Sequence, residues 1–116
     1  MITGVHAVVF SEDADATRAF LRDALGLSFV DAGGGWLIFA LPPAEIAVHP
    51  TDEQPHYELY LMCDDLDATL VELRERGAEV SRPVNAESFG RLTALALPGA
   101  GELGLYQPSH PSPLGG

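Results

Sequence analysis

Ala14-Asp15-Ala16-Thr17 and Leu66-Asp67-Ala68-Thr69 are almost the same four residues, met once in each half of the chain. Ala-Leu-Pro-Pro-Ala-Glu at 40–45 and Ala-Leu-Pro-Gly-Ala-Gly-Glu at 96–102 form a second such pair. After each of these glutamates comes a short apolar run that ends in proline, at 46–50 and at 103–108. The same landmarks recur in the same order, which is the mark of two repeated units of about 50 residues each.

Outward from those landmarks, each unit reads alike. Residues 4–10 are apolar and rich in Val, the composition of a strand. Ser11 or Asp13 can cap a helix that runs to about Leu25, with Asp15 near its positive end and Gly26 as the stop. In the second half, 58–63 is the strand and Asp64 or Asp65 the cap. Leu66, Leu70 and Leu73 follow at helical spacing, and Gly77 ends the helix. Short apolar segments come next, at 27–30, 36–41 and 45–49 and again at 78–80, 91–97 and 102–107. Gly33-Gly34-Gly35, Pro42-Pro43 and Pro98-Gly99 supply turns between them.

Each half is therefore β-α-β-β-β. The first module is 1–50, the linker 51–56, the second module 57–108, and 109–116 a flexible tail, within one domain overall. A helix can cover one face of such a small sheet, and the other face is left concave. The expected fold is α+β: two tandem modules forming a curved, mostly antiparallel eight-stranded sheet around a cleft.

Composition narrows the function. With 47% hydrophobic and 20% charged residues the chain is globular. Seventeen acidic residues stand against six basic ones, all Arg, for a net charge of −11. Such a chain repels phosphate backbones and anionic lipid, so neither nucleic acid nor membrane is an expected partner. Apolar runs such as 36–43 are too short to span a bilayer, and the N-terminus lacks a basic region followed by an apolar stretch. The single cysteine, Cys63, fits a reducing, cytoplasmic location.

Alternation from Glu58 places Tyr60 and Met62 on the cleft face and Leu59, Leu61 and Cys63 under the helix. Cys63 then reads as a small buried apolar residue. Trp36, Phe89 and Tyr106 are the aromatic candidates for the cleft wall, with core packing as the competing reading, and Arg91 stands as a residue of its mouth or as an ordinary ion-paired arginine. His6 and Glu58 are the candidate catalytic pair. A histidine on an apolar strand facing a carboxylate could act as general acid and base, hold a cationic ligand, or be merely hydrogen-bonded in the cleft. Three motifs carry no chemistry. Gly33-Gly34-Gly35 opens a strand and offers no phosphate cradle. Asp64-Asp65-Leu66-Asp67 lacks the glycine and distal glutamate of a calcium loop. His49 and His56 flank a Pro-rich linker with no metal spacing.

Taken together, the opening Gly-Val-His6, the two Asp-Ala-Thr helix starts, Ala-Leu-Gly-Leu at 24–27, Phe89-Gly90-Arg91 and the closing Leu-Pro-Gly…Leu-Tyr-Gln-Pro resemble the vicinal oxygen chelate superfamily. That superfamily includes glyoxalase I, extradiol dioxygenases, fosfomycin-resistance enzymes and bleomycin-resistance proteins. The resemblance covers residues 2–108. It implies a divalent metal held from the first and last strands of each half, at positions that fall on His6, Glu58, Ala47 and Gly104. Ala and Gly have no donor atom, so only His6 and Glu58 remain as metal ligands, fewer than a catalytic ion needs. The resemblance thus implies a small-molecule binding protein of the glyoxalase/bleomycin-resistance type, with no essential metal and a homodimeric assembly. Its alternative is a metal-dependent lyase, isomerase or dioxygenase in which Glu45 or Glu102 has moved into the ligand set.

Overall fold

In a computed structural model of the chain, residues 6–45, 47–48 and 50–114 are described. Helix α1 spans Ala14–Ala19 and continues through a wider π-helical turn, Phe20–Ala24. Strands β1 (Phe29–Asp31) and β2 (Leu37–Phe39) follow. The second half supplies β3 (Tyr60–Met62), α2 (Leu66–Glu75), β4 (Asn85–Glu87), β5 (Gly90–Ala96) and β6 (Glu102–Pro108).

The repeat in the sequence is a repeat of capping chemistry. Asp13 accepts the Ala16 N–H at 3.1 Å, and Asp65 accepts the Ala68 N–H at 3.0 Å. The next residue in α2, Thr69, donates its hydroxyl back to the cap's own carbonyl, and in α1 the Thr17 hydroxyl lies 3.2 Å from the matching Asp13 carbonyl. Each motif thus satisfies a free N–H of the first turn and fixes the start of its helix. At the start of α2 the Gln107 side chain, reaching over from β6, accepts the Leu66 N–H at 2.7 Å.

Leu66, Leu70 and Leu73 line one side of α2 and are buried with Leu95, Leu105 and Ala78; Phe20 and Leu25 pack against them from the first half. Beneath α2 lies a four-stranded sheet in the order β3-β6-β5-β4. Strands β5 and β6 form an antiparallel hairpin, whereas β3 runs parallel to β6 because α2 carries the chain across. The two halves are tied at the hairpin turn. Glu12 N–H donates to Gly99 O at 2.7 Å, and the buried Thr17 hydroxyl donates to Pro98 O at 2.5 Å. Gly99 has φ +78°, and a Cβ there would strike Ser11 and the Asp13 backbone, so only glycine lets α1 dock this closely.

The second half matches the expected β-α-β-β-β unit, except that 78–80 contributes only a bridge from Val80 to Leu95. The polar β4, Asn-Ala-Glu, forms instead as the return strand of β5. The first half departs from expectation. Among the described residues there are six strands in two sheets, not eight strands in one; β1 and β2 make a separate antiparallel pair. Residues 6–10 and 47–48 form no strand. Gly4, Val5, Ile46 and His49, which belong to those expected strands, lie outside the described residues. Phe10 is left at 91% and Val48 at 93% exposure. The radius of gyration, 15.0 Å, exceeds the roughly 13.4 Å of a compact chain of this length. No helix among the described residues is long and apolar enough to cross a membrane.

Leu66 is fully buried where α2 meets the sheet. Leu66→Ala is expected to cost about 2–5 kcal/mol in urea denaturation, whereas Val71→Ala, on the exposed side of α2, should change stability by less than about 0.5 kcal/mol.

Candidate functional site

Alternation along β3, β5 and β6 sorts their side chains onto two faces. Leu61, Cys63, Leu95 and Leu105 meet α2. Tyr60, Leu92, Ala94, Glu102 and Gly104 line the opposite face, a groove of about 330 Å³ closed at its sides by Glu58 and Arg82.

Register places Tyr60 beside Gly104 and Met62 beside Tyr106. A Cβ built on Gly104 would collide with the Tyr60 ring at three of its atoms. The ring therefore lies across Gly104, in the space that any side chain at 104 would enter. From there an aromatic row runs along the sheet. Tyr60 meets Tyr106 edge-on with centroids 6.1 Å apart, Phe89 packs on Tyr106 at 6.1 Å, and His110 lies at 5.8 Å from Tyr106. The Tyr106 hydroxyl donates to Phe89 O at 2.9 Å. Gly90 makes the row fit, since a Cβ there would meet the Tyr106 ring and the Gln107 carbonyl.

Carboxylates border the row. The Tyr60 hydroxyl donates to Glu58 at 3.2 Å, and His56 Nε2 stands 3.6 Å from the other Glu58 oxygen. Burial, reinforced by the negative Glu58, raises the Tyr60 pKa above its usual value. Tyr106 is shifted the same way, by burial first and then by Glu45. Both phenols thus remain protonated donors throughout the neutral range. Glu102 is gripped by the Arg82 guanidinium through both oxygens, with the closest contact 2.7 Å, and accepts from Ser81 at 2.5 Å. These bonds, Arg82 foremost, hold its carboxyl below the ordinary range. Glu45, from the first module, accepts from Ser112 at 2.6 Å and lies 3.6 Å from His110.

Of the residues anticipated from sequence, Glu58, Tyr60, Met62, Phe89 and Tyr106 gather on or beside this face. Trp36 does not. It sits at the start of β2, 63% exposed, with the Arg18 guanidinium 5.3 Å over its ring. Arg91 alternates onto the helix face and pairs with Asp67 of α2 at 3.0 Å. Cys63 also faces the helix, where burial pushes its thiol pKa up. His6 is exposed, ahead of α1. Arg82, His110 and Ser112 have no motif around them; only the folded chain brings Arg82 to the groove and sets His110 and Ser112 against Glu45, with His110 beside Tyr106.

A divalent ion does not fit these residues. Ala47 and Gly104 offer no donor, and Tyr60 fills the space at 104. Glu102 and Glu45, the candidates to replace the missing ligands, are already engaged by Arg82 and by His110 with Ser112. No group of three or more His, Cys, Asp or Glu gathers among the described residues. The donor count falls below that of any catalytic site of this kind.

A family model of the glyoxalase/bleomycin resistance protein/dioxygenase superfamily matches residues 4–97. The chain belongs to that superfamily. Among solved structures it is similar to TnmS3, an antibiotic binding protein from Streptomyces sp. CB03234, with 25% identity, TM-score 0.62, and coverage of 93% of this chain and 100% of that one. A superfamily member from Sphaerobacter thermophilus shares 21% identity at TM-score 0.63, covering 91% and 98%. A lactoylglutathione lyase from Agrobacterium tumefaciens shares 15% at TM-score 0.59, covering 90% and 96%. No curated protein matches the sequence.

The overlap at Gly104 is directly testable. Gly104→Glu, which restores a carboxylate at the family's ligand position, should lower stability by about 1–3 kcal/mol through overpacking. Adding Tyr60→Ala should recover much of that loss, so the two substitutions couple in a double-mutant cycle read by chemical denaturation.

Proposed function

We propose that this protein binds a small molecule on the concave face of its second module, without an essential metal. The observation that carries the reading is the Tyr60 ring lying across Gly104: an aromatic floor stands where a metal-binding member would present a carboxylate. A row of aromatic rings flanked by hydroxyl and carboxylate groups suits an organic ligand held by stacking and hydrogen bonds. The similarity to an antibiotic binding protein supports the same class of function. The net charge of −11 and the carboxylates Glu45 and Glu58 favour cationic ligands.

Two measurements on tag-free protein test this. Mn, Fe, Co, Ni and Zn should each leave the melting temperature unchanged, and elemental analysis should find no stoichiometric metal. Near-stoichiometric metal that disappears in His6→Ala would overturn metal independence. In a panel of aromatic ligands, cations should bind in preference to anions at low salt, and Tyr106→Leu should weaken the best binder by about tenfold.

The protein acts as a homodimer in this reading. Val8, Phe10 and Val48 are 61%, 91% and 93% exposed, in stretches whose sequence is that of strands. A second copy would supply the edges those stretches need, and would remove an apolar surface that a lone chain leaves in water. Light scattering should give twice the 12.3 kDa of one chain. Phe10→Glu with Val48→Glu should return the monomer.

A further inference from the structure

Glu45, which stands near Tyr106, differs from the groove carboxylates Glu58 and Glu102. Its side chain is only 19% exposed, yet among the described residues the groups that meet it are the His110 imidazole and the Ser112 hydroxyl, with no arginine alongside. Glu102, at the same face, has a fixed cation in Arg82. A mostly buried carboxylate needs a cation or strong donors close by. The donor that serves here is the Ser112 hydroxyl at 2.6 Å, and beside it a flat heteroaromatic ring, His110, stands 3.6 Å from Glu45 and tilted at 33° to the Tyr106 ring.

That ring arrives on a segment with little else to hold it. Residues 109–114 form no helix or strand. Ser109 is anchored by its N–H to Phe89 O and its hydroxyl to Ser88 O. Beyond it, among the described residues, the polar and ring contacts with the body of the chain run through His110 and Ser112. Pro108, Pro111 and Pro113 have no N–H to give. Detaching this stretch therefore breaks few hydrogen bonds, and it belongs to the part of the molecule that opens most easily.

We infer that the Glu45–Tyr106 corner is the binding site for a flat, positively charged heteroaromatic group, and that His110 is its internal occupant, which an entering ligand displaces. The inference rests on the proposed binding function and adds to it the ligand class and a built-in competitor. The carboxylate answers the charge, the Tyr106 ring answers the flat face, and the neighbouring Phe89 and Tyr60 rings extend the platform along the sheet. A ligand of this kind sees a site whose open fraction is set by the strap, and its apparent affinity is reduced by that fraction.

The test uses the full chain, with ethidium as the planar cation and anilinonaphthalene sulfonate as the planar anion, both followed by fluorescence. His110→Ala with Ser112→Ala should bind ethidium about tenfold more tightly than the wild type. The same pair combined with Glu45→Gln should lose that gain, and the anion should show none in any variant. In proton NMR, the His110 ring signals should be displaced by the Tyr106 ring current in the free protein and return to unstacked values when ethidium saturates the site. Equal ethidium affinity in wild type and the double variant, or His110 signals that stay put at saturation, would overturn the inference. If ethidium affinity is equal in those two but falls in Tyr106→Leu, the internal-occupant inference alone fails. If ethidium does not bind, or binds Tyr106→Leu as tightly as the wild type, the groove reading fails with it.

Discussion

Parallel pairing of β3 with β6, in the register that sets Tyr60 beside Gly104, is the constraint from which the site follows. Parallel neighbours need a crossover, and α2 provides it, so the helix must cover one face of the sheet and leave the other open. The register then decides which side chains share the open face. Because residue 104 has no side chain, the Tyr60 ring can lie flat there, and Tyr106 two positions on can meet it edge to face. A shift of β3 by one residue would turn Tyr60 towards the helix and bring Leu61 out.

The electrostatics of the groove divide into two kinds of carboxylate. Glu102 is neutralised from within its own module by a bidentate arginine, an arrangement that holds strands and loop together. Among the described residues the close partners of Glu45 and Glu58 are histidines and hydroxyls, with Arg82 acting on Glu58 at longer range, and these are groups that can be exchanged for those of another molecule. With six arginines in the whole chain, five of them in ion pairs with Asp15, Asp23, Glu72, Glu102 and Asp67, little cationic side chain is left to answer these acids.

The halves of the chain are unequal although their sequences rhyme. The second module has a complete core of Leu66, Leu70, Leu73, Leu95 and Leu105. The first contributes a helix that docks through Thr17 on Pro98, a small hairpin, and strand-like stretches without a sheet. The same local code therefore gave the same capped helix twice, because capping is settled within five residues. It gave a full sheet only once, because strands need edges that lie elsewhere in space.

Local chemistry was legible from sequence: both helix starts with their aspartate caps, the leucine face of α2, the glycine stops, the β5–β6 hairpin and the superfamily. Strand alternation also placed Tyr60 and Met62 on the open face, since the period of two is fixed by the backbone itself. Tertiary structure alone decided what stands at Gly104, for a glycine says that a side chain is missing but not whose ring takes its place. It also moved Trp36 to a distant edge under Arg18 and Arg91 to the helix face with Asp67. And it brought Glu45 and His110, sixty-odd residues apart, to one corner beside Tyr106. Such pairings depend on where separate segments meet, and no spacing along the chain encodes that distance.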